Sequence, residues 1–388
     1  MPVLGPLVAY LPTPRNTSGR LNEPALAQLA ENALNAGAHT LAILGSSGGA
    51  AYMPRSMRKR VITTVKNVTG DDTQLVAGIG ALTTAEILLN LNEAAQAGAT
   101  GALLQPMSYQ PLLNHEVLEL YTHVAQQSPL PLIVYNNPNT TRHRFSTEEL
   151  AHIAQLPNIA GFKDYAANAA EISRRIATIT DQLPEQRAKQ LDWGYSGDNK
   201  GAHILLEGAT TWHSALAGVM PRLCVELAYA AVVGRTDEEA AAYAHDLQRA
   251  LTPLTVMMGQ YGSIRVAHAV ARIHGYDIGD LPQPLLELPA PAQALVQLAL
   301  SSIERSTRHM QDNKPSGAAR GSRASEAAAP SENRRQATTT GQQAHAGSRR
   351  AQQPITAETA SVTPSAGTRA ARHTGEQPNY APRRARPY

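Results

Sequence analysis

The sequence predicts an α/β chain: a (β/α)8 TIM barrel over residues 1–235, a C-terminal helical extension over 236–305, and a disordered, low-complexity basic tail over 306–388. Three observations lead there. Strand-like and helix-like segments alternate from about Pro6 onward, giving eight strand–helix units. The triplets Ala36-Gly37-Ala38, Ala97-Gly98-Ala99 and Gly208-Ala209-Thr210 each close a helix and precede a strand, the glycine supplying a left-handed helix terminus. Composition then changes at about Ser306, where Ser, Thr, Ala, Gly, Gln, Pro and Arg take over and Leu disappears. A doubly wound open sheet is the alternative, but no Gly-rich dinucleotide loop follows the first strand.

The elements follow from local chemistry. Leu7 to Leu11 is the first strand, and Thr13-Pro14 ends it. Asn22 can cap the next helix, with Pro24 tolerated in its first turn. Leu26, Leu29, Ala30, Ala33 and Leu34 mark that helix's apolar face. Thr40 to Leu44 forms the second strand and runs into Gly45-Ser46-Ser47-Gly48-Gly49. A helix over about Ser56 to Val68 precedes the third strand, Leu75 to Ile79. Thr83 or Thr84 begins a helix that ends near Gly98, and Gly101 to Gln105 is the fourth strand. Asn114 is the expected cap of a helix reaching about Gln127; Leu132 to Tyr135 is the fifth strand. Ser146 and Glu149 have capping-box spacing. The sixth strand lies within Asn158 to Tyr165, the seventh over Leu191 to Tyr195, and the eighth over Thr210 to Ser214. From Pro221 to Ser301 the chain is Ala-rich and helical, punctuated by Pro282, Pro284, Pro289 and Pro291.

Composition limits the chemistry. Hydrophobic residues make up 43%, yet Phe occurs only twice, so Leu, Ala, Val and Ile must build the core. The single cysteine, Cys224, forms no intrachain disulfide and sits in an apolar helical run. No apolar run is long enough to span a membrane, Met1 to Pro6 lacks the basic-then-apolar pattern of a signal peptide, and a cytoplasmic setting is expected. Charge is divided. Thirteen Lys or Arg face five Asp or Glu from Ser306 to Tyr388, a balance of +8, while twenty-one face twenty-six elsewhere, a balance of −5. The tail has Arg pairs but almost no interleaved aromatics, so nucleic acid is not an expected partner.

Barrel enzymes work at the C-terminal ends of their strands. Here the second strand ends in Ser46 and Ser47, the fifth in Tyr135-Asn136-Asn137-Pro138, and the sixth in Lys163. The other five lysines, Lys59, Lys66, Lys189, Lys200 and Lys314, lie in polar or helical surroundings. A lysine in an apolar strand is pushed toward the neutral, nucleophilic amine. It could also snorkel to solvent or pair with Asp164. Tyr135 is either a core residue or a proton donor, and the Ser-Ser loop offers hydroxyls and backbone N–H groups suited to a small carboxylate. Together they form a unit in which lysine attacks a ketone, tyrosine moves the proton and serine completes the relay. The histidines show no metal-ligand spacing, and there is neither a P-loop nor a Gly-x-Ser-x-Gly elbow.

From about Pro6 to Ser301 the ordered motifs resemble the dihydrodipicolinate synthase / N-acetylneuraminate lyase family of pyruvate-dependent class I aldolases. Thr13-Pro14, Gly45-Ser46-Ser47-Gly48, Tyr135-Asn136-Asn137-Pro138, Gly161-Phe162-Lys163-Asp164 and Ser196-Gly197-Asp198 carry the resemblance, in the family's order. It implies catalysis by a covalent imine on Lys163 with no cofactor and no metal. Tyr135 is the implied acid/base, aided by Ser46. Ser46, Ser47 and Gly48 hold the carboxylate, and Tyr109, Thr140, Gly197 and His213 complete the implied substrate-binding set. The implied partners are pyruvate or another 2-oxo acid, an aldehyde, and further copies of the chain in a dimer or homotetramer. Three departures separate this chain from the lysine-biosynthesis members. Gly49 stands where most members have Glu, and Thr140 stands where the second substrate's carboxylate would meet Arg, with Arg142 two residues on. Met107-Ser108 follows Pro106 where paired tyrosines belong, Tyr109 being the first tyrosine. The reading is therefore a Schiff-base lyase that makes or breaks a carbon–carbon bond or dehydrates a sugar acid. The alternatives are 4-hydroxy-tetrahydrodipicolinate synthase and a non-catalytic barrel that serves as a binding protein.

Overall fold

The computed structural model of the protein describes residues 4–165 and 168–311. Eight parallel strands close in sequence order into one barrel, with Leu7 opposite Trp212 and Val8 opposite His213 where the last strand meets the first. β1 (Leu7–Tyr10) leads to α1 (Glu23–Asn35), β2 (Thr40–Ile43) to α2 (Arg55–Thr69), β3 (Gln74–Gly78) to α3 (Thr84–Gln96), and β4 (Gly101–Leu104) to α4 (Asn114–Gln127). After β5 (Leu132–Asn136) come the short α5 (Pro138–Thr141) and α6 (Thr147–Ala154). After β6 (Ile159–Asp164) come α7 (Ala169–Thr180) and the short α8 (Glu185–Ala188). β7 (Asp192–Ser196) leads to α9 (Gly201–Leu206), and β8 (Thr211–Ser214) to α10 (Pro221–Val233). The extension is α11 (Glu238–Tyr261), α12 (Ser263–Ile273) and α13 (Ala290–Gln311). No helix of the described residues is long and apolar enough to cross a membrane.

Strand side chains alternate between two faces, and this period of two builds two cores. Val8 and Tyr10, Ala42, Val76, Leu103, and Ile133 and Tyr135 fill the lumen. Their sequence neighbours, such as Ala9, Leu41, Leu104 and Val134, face outward and join the larger core under the helices. The helix-closing glycines are as the sequence pattern requires: Gly37, Gly98 and Gly208 have φ of 92, 94 and 103°.

Helix starts agree with the sequence at three places, Thr83 of α3 among them, where its Oγ1 accepts the Glu86 N–H at 3.2 Å, and differ at one. Asn22 caps α1 by accepting from the Ala25 N–H at 3.3 Å. Glu149 N–H donates to Ser146 Oγ at 3.1 Å and Ser146 N–H donates to Glu149 Oε2 at 2.7 Å, a reciprocal cap. Asn114 is not a cap. Leu113 occupies the cap position of α4, and the Glu116 carboxylate accepts the Leu113 N–H at 2.7 Å. A carboxylate one turn into the helix satisfies the terminus without a polar capping side chain.

The extension also runs further than composition suggests. α13 continues through the expected boundary at Ser306 to Gln311. Val296, Leu300 and Ile303 are buried along it, and Met310 carries the same apolar face one step further onto the core. The rest of the expected disordered tail, 312–388, lies outside the described residues.

Candidate active site

Lys163 sits next to last in β6, at the strand's C-terminal end, opposite Tyr135 of β5 and Gly194 of β7. Residues in register on parallel strands face the same side, so Lys163 and Tyr135 both point into the mouth of the barrel. Among the described lysines only Lys163 is buried, at 8% exposure. Its Nζ lies 3.5 Å from the centroid of the Tyr10 ring and 5.0 Å from that of Tyr135. Burial pulls the Lys163 ammonium down to about 7, against the opposing charge of Asp198. Pairing with Asp164 does not occur. Asp164 is the next residue on the strand and faces the helices, where it accepts from Asn136 Nδ2 at 2.6 Å and pairs with Arg175 of α7. Burial raises the Asp164 carboxyl, and Arg175 opposes that rise.

Tyr135 Oη and Ser46 Oγ are 3.1 Å apart, and Asn137 Nδ2 donates to Tyr135 Oη at 3.2 Å. The Ser46 loop reaches the site through a left-handed residue at Leu44, φ 58° and buried. A non-glycine residue in that region is strained and is held there by its surroundings. Gln105 Nε2 contacts the Leu44 carbonyl at 3.5 Å, and its Oε1 accepts from the Gly80 N–H at 2.8 Å. Arg58, buried, donates to the carbonyls of Ala50 at 3.2 Å and Gly78 at 2.8 Å, tying the loop's far end to β3. The Gly48 N–H donates back to the Gly45 carbonyl at 3.1 Å. Among the described residues the N–H groups of Ser46 and Ser47 have no acceptor, and both residues line the cavity above Lys163. Two unspent N–H groups beside two hydroxyls form an anion-accepting corner.

The opposite wall comes from β1, β7 and β8. Tyr10 Oη and His213 Nδ1 are 3.1 Å apart, so His213 contributes its ring and not only backbone. Burial, and then the charge of Lys163, hold His213 well below the usual imidazole range, leaving it neutral. Gly194 makes room for it: a Cβ there would lie 2.2 Å from His213 Nε2. Asp198 accepts from Ser214 Oγ at 2.5 Å and from the N–H groups of Ala215 and Leu216, each at 3.2 Å. The carbonyl of Gly197 accepts from Trp212 Nε1 at 2.7 Å.

These groups line a cavity of ≈ 620 Å³. Ser46, Ser47, Tyr135, Thr140, Lys163, Gly197 and His213 all reach it; Gly48 and Tyr109 do not. Tyr109 lies on the loop after β4 and is 83% exposed. Sequence reasoning missed Tyr10, Asn137 and Asp198. Tyr10 was visible as an aromatic closing the first strand, and Asp198 as the acid of the Ser-Gly-Asp loop. It also missed the extension's part in the site: Thr255 and Met258 of α11 and Ser263 and Ile264 of α12 line the mouth.

Comparison with known proteins bears on the family and the fold. The model of the dihydrodipicolinate synthetase family matches residues 4–303. A 4-hydroxy-tetrahydrodipicolinate synthase of Dehalococcoides mccartyi is 27% identical over 305 residues, 77% of this chain and 97% of the relative. An uncharacterized DapA-like lyase of Halobacterium salinarum is 28% identical over 285 residues, 73% of this chain and 88% of the relative. The crystal structure of dihydrodipicolinate synthase from Agrobacterium tumefaciens superposes with a TM-score of 0.71 at 34% identity, covering 77% of this chain and 98% of that one.

Proposed function

The chain belongs to the dihydrodipicolinate synthetase family, and from that premise we propose that it is a lysine-imine lyase whose second substrate is a neutral, hydroxyl-bearing aldehyde. Its first substrate is pyruvate or a related 2-oxo acid. The observation that carries the reading is Lys163, buried beside Tyr10 and Tyr135 and brought to about 7, within reach of a relay and an anion-accepting corner. No cofactor is required in this reading, because the iminium formed on Lys163 serves as the electron sink.

The chemistry follows from those positions. The 2-oxo acid's carboxylate rests on the N–H groups and hydroxyls of Ser46 and Ser47. Neutral Lys163 Nζ attacks C2, and the carbonyl π pair moves to oxygen, which takes a proton from the Ser46–Tyr135 relay. A second proton transfer from nitrogen releases that oxygen as water and leaves the iminium. Loss of a C3 proton then sends its bonding pair into a C2–C3 double bond and the C–N π pair onto nitrogen. The resulting enamine adds to an aldehyde carbon, whose oxygen receives the proton; cleavage runs the same steps backward.

The partner's character is read from the wall beyond Lys163. Asn137, Asn139, Thr140, Asn199, Thr255 and Ser263 offer amides and hydroxyls, and among the described residues no guanidinium lines the cavity. Arg142 is exposed and is not among the lining residues. Hydroxyl groups on the partner would satisfy this wall, whereas a second carboxylate would find no bidentate cation. Several relatives carry the name 4-hydroxy-tetrahydrodipicolinate synthase, but Thr140 and the exposed Tyr109 weigh against that activity here. A panel of aldehydes with pyruvate tests the reading. Turnover should favour neutral hydroxy-aldehydes over aspartate semialdehyde by about tenfold or more, the worth of one charged hydrogen bond. Preference for aspartate semialdehyde would overturn it.

A further inference from the structure

We infer that Asn137 is a positioning residue that sets the direction of proton flow through Tyr135 and Ser46. The inference rests on the imine reading above and adds a residue to it. Asn137 occupies the cap position of α5, where an asparagine side chain ordinarily accepts a helix N–H. Here it makes no such bond. Its backbone carbonyl instead accepts from Thr140 at 2.9 Å and Thr141 at 3.0 Å, and its side chain turns back to Tyr135 Oη at 3.2 Å. Asn137 Oδ1 is buried and has no partner among the described residues. An amide that forgoes its cap and leaves its oxygen unsatisfied, while holding one bond to a phenol, is placed for that bond.

The bond has a chemical consequence. An amide N–H is only a donor, so Tyr135 Oη must accept from Asn137 and direct its own proton elsewhere. Ser46 Oγ, at 3.1 Å, is the acceptor in reach. Tyr135 then donates to Ser46, and the Ser46 proton is turned toward the substrate in the cavity. When Ser46 protonates the departing oxygen, it recovers a proton from Tyr135, and the Asn137 N–H steadies the phenolate that remains. When the C3 proton leaves, it returns through Ser46 to that phenolate, and its bonding pair forms the enamine double bond. Protons and electrons balance over the two steps with no outside reagent. Reversing the amide would put Oδ1 against Tyr135 and draw its proton away from Ser46.

Two variants separate donor from shape: Asn137→Asp keeps the outline and removes the N–H, and Asn137→Val removes both polar atoms. Two readouts separate relay from imine. Borohydride trapping of pyruvate on Lys163 reports the imine, and deuterium entry into the pyruvate methyl group in heavy water, followed by NMR, reports enamine formation. At the end point of trapping, where slower proton transfer no longer limits the amount of imine formed, both variants should label to within about twofold of the parent, and both should exchange about tenfold or more slowly, as for impaired acid/base transfer. Parent-like exchange in Asn137→Asp would overturn the inference, because shape alone would then suffice. A fall in the end-point extent of trapping together with exchange would also overturn it, by making Asn137 a general support of the site. Failure of the parent to trap pyruvate would strike the imine reading itself.

Discussion

A buried lysine lowers stability, and at Lys163 that cost is the mark of its role. Its ammonium is held at about 7 by burial, whereas an unfolded chain would keep it near the ordinary lysine value. The unfolded state therefore binds more protons between those values, and stability rises with pH across that window. The cost is fully present below about pH 7 and fades toward about pH 10. Lys163→Met should then raise the unfolding free energy at neutral pH, by something on the order of 3–4 kcal/mol, with the gain shrinking as pH rises. Denaturant unfolding at several pH values checks this; a lower or pH-independent difference would mean that the ammonium is well solvated. At this scale Lys163, Tyr135 and Ser46 were legible because each interrupts an apolar strand end with a reactive group. Asn137 and Asp198 were not, because the partners of Asp198 lie on the neighbouring β8 and the loop after it, and that of Asn137 depends on a side-chain direction that spacing does not reveal.

Elements were legible wherever one face is apolar and the ends carry turn chemistry. The Ser146–Glu149 cap and the three helix-closing glycines are local, and they appear in the structure as the sequence has them. α4 departs because Glu116 replaces a polar capping side chain. The placement of α11 and α12 over the mouth was not legible, since a helical face shows that something covers it but not what. α13 bears the same lesson at its end. Polar Ser306, Thr307 and Arg308 obscured the fact that Met310 still falls on the buried face. Ending the chain after Arg305 should remove that contact and cost about 1 kcal/mol, about 2 °C or more in melting temperature. Ending it after Gln311 should leave melting nearly unchanged. Equal melting curves for the two truncations would show that the last turn contributes nothing to packing.

Over the whole molecule, the order of the polar strand ends foretold the barrel and its working end together. Closure of eight parallel strands brings β1, β5, β6 and β8 to one mouth, so residues as far apart in sequence as Tyr10 and His213 share a cavity. Alternation also decided between two roles for the β6 lysine, turning Lys163 inward and Asp164 toward Arg175. The identity of the aldehyde was less legible, because it depends on side chains contributed by loops and by the extension. Central to the account is a covalent imine on Lys163. The most direct test is to incubate the full chain with pyruvate, reduce with borohydride, and map the modified peptide by mass spectrometry across a pH series. Label should fall on Lys163, and its rate should climb as pH passes about 7, where the amine loses its proton. Label on another lysine (Lys59, Lys66, Lys189, Lys200 or Lys314), or none after several 2-oxo acids, would contradict it.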